Sequence, residues 1–238
     1  MLDLIAKSAL STHVTVKGGV LIQHVSKDLR RSTTDIDLDF VRYSIEDAAI
    51  HKFVATLNEG TSTFSVKIVG FIEKLKHQDY SGKRINIYVS DVDGNLIRTK
   101  IDIGVHNLLD LNQEEIRFDL VQMDEGVILL GNSNEQIVAE KLKSLLRIGA
   151  ASTRYKDVFD MYYLLKSKAI HQKKMDRAIA ILVYDDPTMR ERGKSDIHRR
   201  LLRVFNDQKF KRNLSKVKNN WLQIPTDKVI VEILSYFQ

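Results

Sequence analysis

The spacing of apolar and polar residues divides the chain into a front part of mixed strands and helices and a back part that reads as almost wholly helical. HVTVK (13–17) is a short β-branched run that predicts a strand. GGVLIQHVSKDL (18–29) follows with Val20, Leu21, Val25 and Leu29 near helical spacing. DIDLDFV (35–41) alternates strictly, with acids on one face and Ile36, Leu38 and Phe40 on the other, as a half-buried strand does. SIEDAAIHKFVATL (44–57) returns to helical period, with Ser44 placed to cap it. RINIYVSDVDGNLIRTKIDIGV (84–105) predicts a hairpin. Its two alternating runs flank Asp93-Gly94, a dipeptide suited to a tight type I′ turn. From about Glu135, the segments NEQIVAEKLKSLLRIG, TRYKDVFDMYYLLKSK and KKMDRAIAILVY carry apolar residues at three and four spacing, and Gly149 is placed to close the first helix. The pattern predicts an α/β (α+β) fold: a mixed sheet flanked by helices over residues 1–132, then an all-helical domain over 133–238.

Composition narrows the class. With 43% hydrophobic and 29% charged residues in 238, the chain is globular rather than disordered or fibrous. The absence of cysteine excludes disulfides, thiolate metal sites and a cysteine nucleophile. No stretch approaches the roughly 20 apolar residues of a membrane helix, and MLDLIAKSAL is too short and mixed for a signal peptide. A cytoplasmic protein is therefore expected. The net charge of +6 conceals an asymmetry: residues 1–132 hold 15 basic and 19 acidic residues, whereas 133–238 hold 22 and 12. The sign changes where Gly131-Asn132 marks the expected boundary.

Asp35 and Asp37, two apart on a strand, project to the same side. Adjacent carboxylates raise each other's pKa unless a cation neutralises them, and oxygen pairs of this kind suit Mg²⁺. Gly18-Gly19 stands 16 positions earlier at a strand-to-helix turn, where bare N–H groups can meet a phosphate. Asp102 adds a third acid from another strand, on the face opposite Ile101 and Ile103, so that three acids from two strands could hold two metal ions for in-line phosphoryl chemistry. Taken singly, each feature also reads as ordinary structure: a solvated strand face, or a tight turn. Asp39 continues the acidic face, and the alternation leaves open which two acids are ligands.

In order along the chain, VKGGVLIQHV, RRSTTDIDLDF, TKIDIGV, AEKLKSLL and TRYKDVFDMYYLL resemble the motifs of DNA-polymerase-β-like nucleotidyltransferases, specifically the AbiEii/AbiGii toxin family that includes the MenT-type toxins. Arg31, Thr33, Asp35, Ile36, Asp37 and Leu38 match the approach to the family's Asp-hydrophobic-Asp, although the fifteen residues between Gly19 and Asp35 exceed the superfamily's usual spacing. The resemblance spans about residues 14–165. It implies a nucleotidyltransferase fold, with Asp35, Asp37 and Asp102 as metal ligands for Mg²⁺ (or Mn²⁺). Nucleotide contacts would come from Gly18, Gly19, Thr34, Lys141, Arg154 and Asp157, and Asp157 would either accept the acceptor's hydroxyl proton or touch the nucleotide. It further implies transfer of NMP from an NTP such as ATP to an acceptor hydroxyl, expected to be the 3′ end of a tRNA, by the toxin of a toxin–antitoxin pair of phage-defence type with a cognate antitoxin protein. A small-molecule acceptor such as an aminoglycoside, or a catalytically silent relative that binds nucleic acid or a partner, are the rival readings.

Read without the resemblance, Lys141 is a helical lysine facing solvent, and Arg154, Asp157 and Asp160 share a face as an ion-pair ladder. Asp160, ahead of Met161-Tyr162-Tyr163-Leu164-Leu165, is expected to anchor its helix through a partly buried hydrogen bond. Between 190 and 218 there are eleven basic residues against three acids, a density that predicts RNA contact through phosphates. Phe205, Phe210 and Trp221 interleave this run, either to stack on an unpaired base or to fill a small helical core. DVDGN (91–95) begins like a calcium loop but has Leu96 where that loop needs glycine, and no HExxH or P-loop motif occurs.

Overall fold

Strict alternation lets DIDLDF bury an apolar face, and in the computed structural model this segment becomes the central strand of the front unit. The structure describes residues 1–59, 61–75, 82–106, 110–120, 125–167 and 169–238. Its Cα trace divides into two units, Met1–Asn132 and Ser133–Gln238. The first runs α1 (Leu2–Lys7), β1 (Val14–Lys17), α2 (Gly18–Ser26), β2 (Asp35–Phe40), α3 (Asp47–Glu59), β3 (Phe64–Leu75), β4 (Gly82–Asp91), β5 (Leu96–Val105), β6 (Glu114–Phe118) and β7 (Val127–Gly131). The strands form one seven-stranded sheet in the order β3-β4-β5-β2-β1-β7-β6. Pairs β2/β5 and β1/β7 are parallel and the others antiparallel, which is the mixed α+β sheet expected of a nucleotidyltransferase fold.

The apolar face of β2 and β5, with Leu38, Phe40, Ile101 and Ile103 all buried, lies against α3 through the Phe40–Phe53 ring pair at 5.2 Å. At the start of α3, Asp47 pairs with Lys83 of β4. α3 begins two residues later than a Ser44 cap predicts. Ser44 Oγ accepts from the Glu46 N–H, closing a turn, and the first helical bond runs from Ile50 N–H to the Glu46 carbonyl. α2 likewise stops early, at Lys27 in the left-handed conformation (φ 52°), and Asp28 caps the short 3₁₀ turn Leu29–Arg31. Leu29 therefore leaves the helical stripe and is exposed. Strands β6 and β7 are not anticipated by alternation, since VILLG is a continuous apolar run.

The hairpin forms over the expected segment with a different turn. Asp91 N–H donates to the Asn95 carbonyl and Gly94 N–H to the Asp91 carbonyl, so the loop holds three residues, with Gly94 alone at positive φ (82°). This is a type I turn closed by a glycine bulge, stabilised by the Asp91 carboxylate accepting from the N–H groups of Asp93 and Asn95. The turn sets the register: Arg84 lies opposite Asp102, whereas a two-residue Asp93-Gly94 turn would have put Ile85 there.

The second unit comprises α4 (Asn134–Ile148), α5 (Tyr155–Lys166), α6 (Gln172–Ile179) continued by a π-helical turn Ala180–Tyr184, α7 (Lys194–Asn206), α8 (Gln208–Leu214) and α9 (Thr226–Tyr236). Gly149, at φ 68°, closes α4 as its position predicts. The helix expected over 153–168 is α5; residue 168 lies outside the described residues. Phe205, Phe210 and Trp221 are buried, with Tyr155, Phe205 and Phe210 in ring contact, so these aromatics fill the helical core rather than offering stacking surfaces. Among the described residues, no helix is long and apolar enough to cross a membrane.

β3 is an edge strand, and unpaired edges invite association. Asn58 of α3 covers part of it: its Oδ1 accepts from Val66 N–H (2.7 Å), and its Nδ2 donates to the carbonyls of Val66 and Val54 (both 3.0 Å). Replacing Asn58 by alanine is expected to lower stability by about 1–3 kcal/mol, read from urea denaturation. An unchanged midpoint would show that water serves β3 equally well.

Candidate functional site

The parallel register of β2 and β5 sets Asp37 beside Asp102 and Asp35 beside Lys100. Because laterally paired residues share a face, Asp35, Asp37, Asp39 and Asp102 all lie on one side of the sheet, opposite the α3-covered face. The sheet therefore brings the three expected acids together. It also assigns Asp39, which the sequence left open: its carboxylate is buried and lies 2.6 Å from Lys17 Nζ of β1, leaving Asp35 and Asp37 as the more accessible pair.

The glycine turn is built onto Asp37. Gly18 opens α2 at φ 64°, and a Cβ there would sit 2.0 Å from Asp37 Oδ2, while one on Gly19 would sit 2.6 Å from Thr33 Oγ1. Only glycine permits this approach. The Gly19 N–H donates to Asp37 Oδ2 at 3.4 Å, so the amino end of α2 meets a carboxylate of the acid pair. Thr33 Oγ1 donates to the Asp35 carbonyl (3.1 Å), Thr34 Oγ1 lies 3.4 Å from Asp35 Oδ1, and Thr99 Oγ1 donates to the Thr34 carbonyl (2.9 Å). Those contacts fix the approach to β2.

Asp102 is held by a basic side chain from the neighbouring strand. Arg84 of β4 grips it with both arms, Nε to Oδ1 at 2.6 Å and a terminal nitrogen to Oδ2 at 2.8 Å. The hydrogen bonds to Asp102 raise the Arg84 pKa further. Among the described residues, no three His, Asp or Glu side chains form a group that could hold a metal ion. Asp35 and Asp37 are the more accessible acids of this face, a carboxylate pair of the kind a Mg²⁺ ion uses. Arg84 was missed by sequence reasoning because its partner depends on the hairpin register.

In the helical unit, Lys141 of α4 does not face solvent. Its Nζ is buried between Asp157 Oδ1 (2.5 Å) and Asp160 Oδ2 (2.9 Å) of α5. Arg154 Nε donates to Asp157 Oδ2 (2.6 Å), and Trp221 Nε1 donates to Asp160 Oδ1 (3.0 Å). The structure thus brings Lys141, Arg154 and Asp157 together. It also gives Asp160 the anchoring hydrogen bond expected of it, with Trp221 as donor. Burial works against charge on Lys141, but the carboxylates of Asp157 and Asp160 outweigh it and raise its pKa. Burial likewise opposes ionisation of Asp157, and Lys141 with Arg154 overcomes it, lowering the Asp157 pKa.

A sequence model of the family described as "Nucleotidyl transferase AbiEii toxin, Type IV TA system" matches residues 1–227. A search among curated proteins finds no match.

The Lys141 network gives stability a defined pH dependence. Asp157 has a folded pKa below its unfolded one, so its contribution is present above roughly pH 4 and is lost as pH falls through the folded value. Lys141 has a folded pKa above its unfolded one, so its contribution is present below roughly pH 10.4 and is lost as pH rises further. Asp157→Asn should cost roughly 1–3 kcal/mol at neutral pH and flatten the acid limb of stability against pH, measured by urea denaturation between pH 3 and 7. An acid limb as steep as the parent's would assign acid lability elsewhere.

Proposed function

Because the chain belongs to the nucleotidyl transferase AbiEii toxin family of type IV toxin–antitoxin systems, we propose that it is a Mg²⁺-dependent enzyme that transfers NMP from an NTP to an acceptor hydroxyl, that of the 3′ end of a tRNA, under the control of a cognate antitoxin. The observation that carries this reading is the convergence of Asp35, Asp37 and the Gly18-Gly19 turn on one sheet face, with Asp102 in register beside Asp37. In the reaction, the acceptor hydroxyl gives up its proton to solvent, its oxygen forms a bond to the α-phosphorus, the bond from that phosphorus to the bridging oxygen breaks, and pyrophosphate leaves with the bond's electrons. Bound Mg²⁺, or Mn²⁺ in its place, would supply charge neutralisation on the phosphate oxygens and lower the pKa of the attacking hydroxyl.

The chain's own residues have distinct tasks in this scheme. Asp35 and Asp37 hold the cation, and the Gly19 N–H orients the Asp37 carboxylate. The amino end of α2 offers further N–H groups to phosphate oxygens, with Thr34 beside the acid pair. Lys141 and Arg154 supply positive charge for the triphosphate. Asp157 suits the task of orienting Lys141 better than that of proton acceptor, because a general base works best with a pKa near the operating pH and that of Asp157 is lowered instead. One observation favours the silent-relative alternative: both oxygens of Asp102 are held by Arg84. Calorimetric titration with Mg²⁺ and ATP separates the two, since a silent relative takes up no NTP in a Mg²⁺-dependent manner.

Asp37→Ala is the direct test. Incubation of the parent with each α-labelled NTP and total RNA should label tRNA, and the substitution should reduce labelling by about a hundredfold to a thousandfold with an unchanged circular dichroism spectrum. Retained transfer by the folded variant would refute the assignment. Labelling that needs no RNA would redirect it to a small-molecule acceptor.

A further inference from the structure

The basic run 190–218 is not one uniform surface. Several of its charges are spent within the helical unit: Arg192 donates to the Tyr184 carbonyl (2.6 Å), Lys194 pairs with Asp176 (3.5 Å), and Lys211 pairs with Asp227 (2.7 Å). Four others, Arg190, Arg199, Arg200 and Arg203, are gathered instead around a single open cavity of about 460 Å³. A fifth arginine, Arg147, joins them from the last turn of α4, well outside the run. Glu191 and Asp196 also line the cavity, so its formal charge is +3. Both acids already accept internal hydrogen bonds, Glu191 from the Arg190 N–H and Asp196 from the Arg192 N–H and the Arg199 guanidinium.

The walls of this cavity are fixed by contacts within the helical unit, one of which uses Arg200. Gly149, with positive φ, leaves room for Arg200, whose terminal nitrogen would lie 2.9 Å from a Cβ at that position. Arg200 Nε donates to the Leu146 carbonyl at 3.2 Å, satisfying the carboxyl end of α4 and offsetting its negative dipole. On the other side Asp186 accepts from Lys143 Nζ (2.6 Å) and from the N–H and hydroxyl of Thr188, pinning the segment that leads into Arg190. Arg199 and Arg203, four apart on α7, present guanidinium groups from one helical face, both exposed. Guanidinium forks match phosphate oxygens, and an open, arginine-rich concavity suits successive phosphates of a chain.

Resting on the reading above that the acceptor is an RNA, we infer that the Arg147–Arg190–Arg199–Arg200–Arg203 cavity is the phosphate-backbone subsite that holds the acceptor RNA. The lysines of α8 and of the segment after it contribute only general charge. Arg199 and Arg203 are the residues to test. Both are exposed and leave the α4 cap intact, whereas Arg200 is structural as well as charged.

The experiment uses the full chain and a fluorescently labelled tRNA transcript, with affinity measured across a salt series. The double variant R199A/R203A should bind on the order of tenfold more weakly at moderate salt and lose about 1–2 units from the slope of log affinity against log salt. The double variant K209A/K216A should keep slope and affinity close to the parent's. Melting curves for both variants establish that the fold is kept. Parental binding by R199A/R203A, or an equal loss in the lysine variant, would overturn the cavity assignment while leaving the RNA reading standing. A parent that binds no tRNA but binds inorganic tripolyphosphate in an Arg203-dependent way would overturn both, making the cavity a small-anion site.

Discussion

Four carboxylates on one face of two adjacent strands form the constraint around which the front unit is organised. The β2/β5 register gathers Asp35, Asp37, Asp39 and Asp102 on one face, and like charges so gathered repel unless something compensates them. Each neighbouring element supplies part of that compensation. β1 contributes Lys17 to Asp39, β4 contributes Arg84 to Asp102, and the amino end of α2 contributes an N–H to Asp37. The order of strands, with β1 and β4 flanking the β2/β5 pair, is what puts a basic side chain on either side of the acids. The opposite face is free of this demand and carries the aliphatic and aromatic residues that pack on α3.

The helical unit solves a similar problem with opposite sign. A lysine buried without partners would shed its proton, whereas Lys141 has two carboxylates and those have Arg154 and Trp221. Such a network is poor evidence for stability as such, because apolar residues of similar volume often serve a core as well or better. What the network does fix is the position of the Lys141 ammonium, held between two carboxylates of α5. Removing any one partner would leave charge uncompensated, so the network can change only as a whole.

Much of this arrangement was legible in the sequence, and the misses share a cause. Alternation located β2, the change to three and four spacing located α4 and α5, and the ordered acids and glycines pointed to the family. These signals are local, and each depends on a few consecutive residues. Arg84 was invisible because its role depends on the hairpin register, which differs by one residue between a two-residue Asp93-Gly94 turn and the glycine-bulge turn that forms. That one residue decides whether Asp102 faces a guanidinium or the side chain of Ile85. Arg147 escaped for a parallel reason: it is remote from the basic run in sequence and meets it only through tertiary packing. Phe205, Phe210 and Trp221 show the converse, since their sequence environment is basic while their packing environment is apolar.

The Arg84–Asp102 pair bears on how four acids can share one strand face. Two acids opposite one another in register would repel in the absence of an ion, and the cost would fall on folding. A guanidinium that satisfies both Asp102 oxygens removes that cost and leaves Asp35 and Asp37 as the smaller acid set that a hydrated divalent ion can approach. The strength of the pair then sets a threshold. Under the proposed function, a cation would recruit Asp102 only if its gain exceeded the two charge-assisted hydrogen bonds from Arg84. The register that sets Asp102 beside Asp37 thus also sets Arg84 opposite Asp102, so crowding and its compensation have one origin.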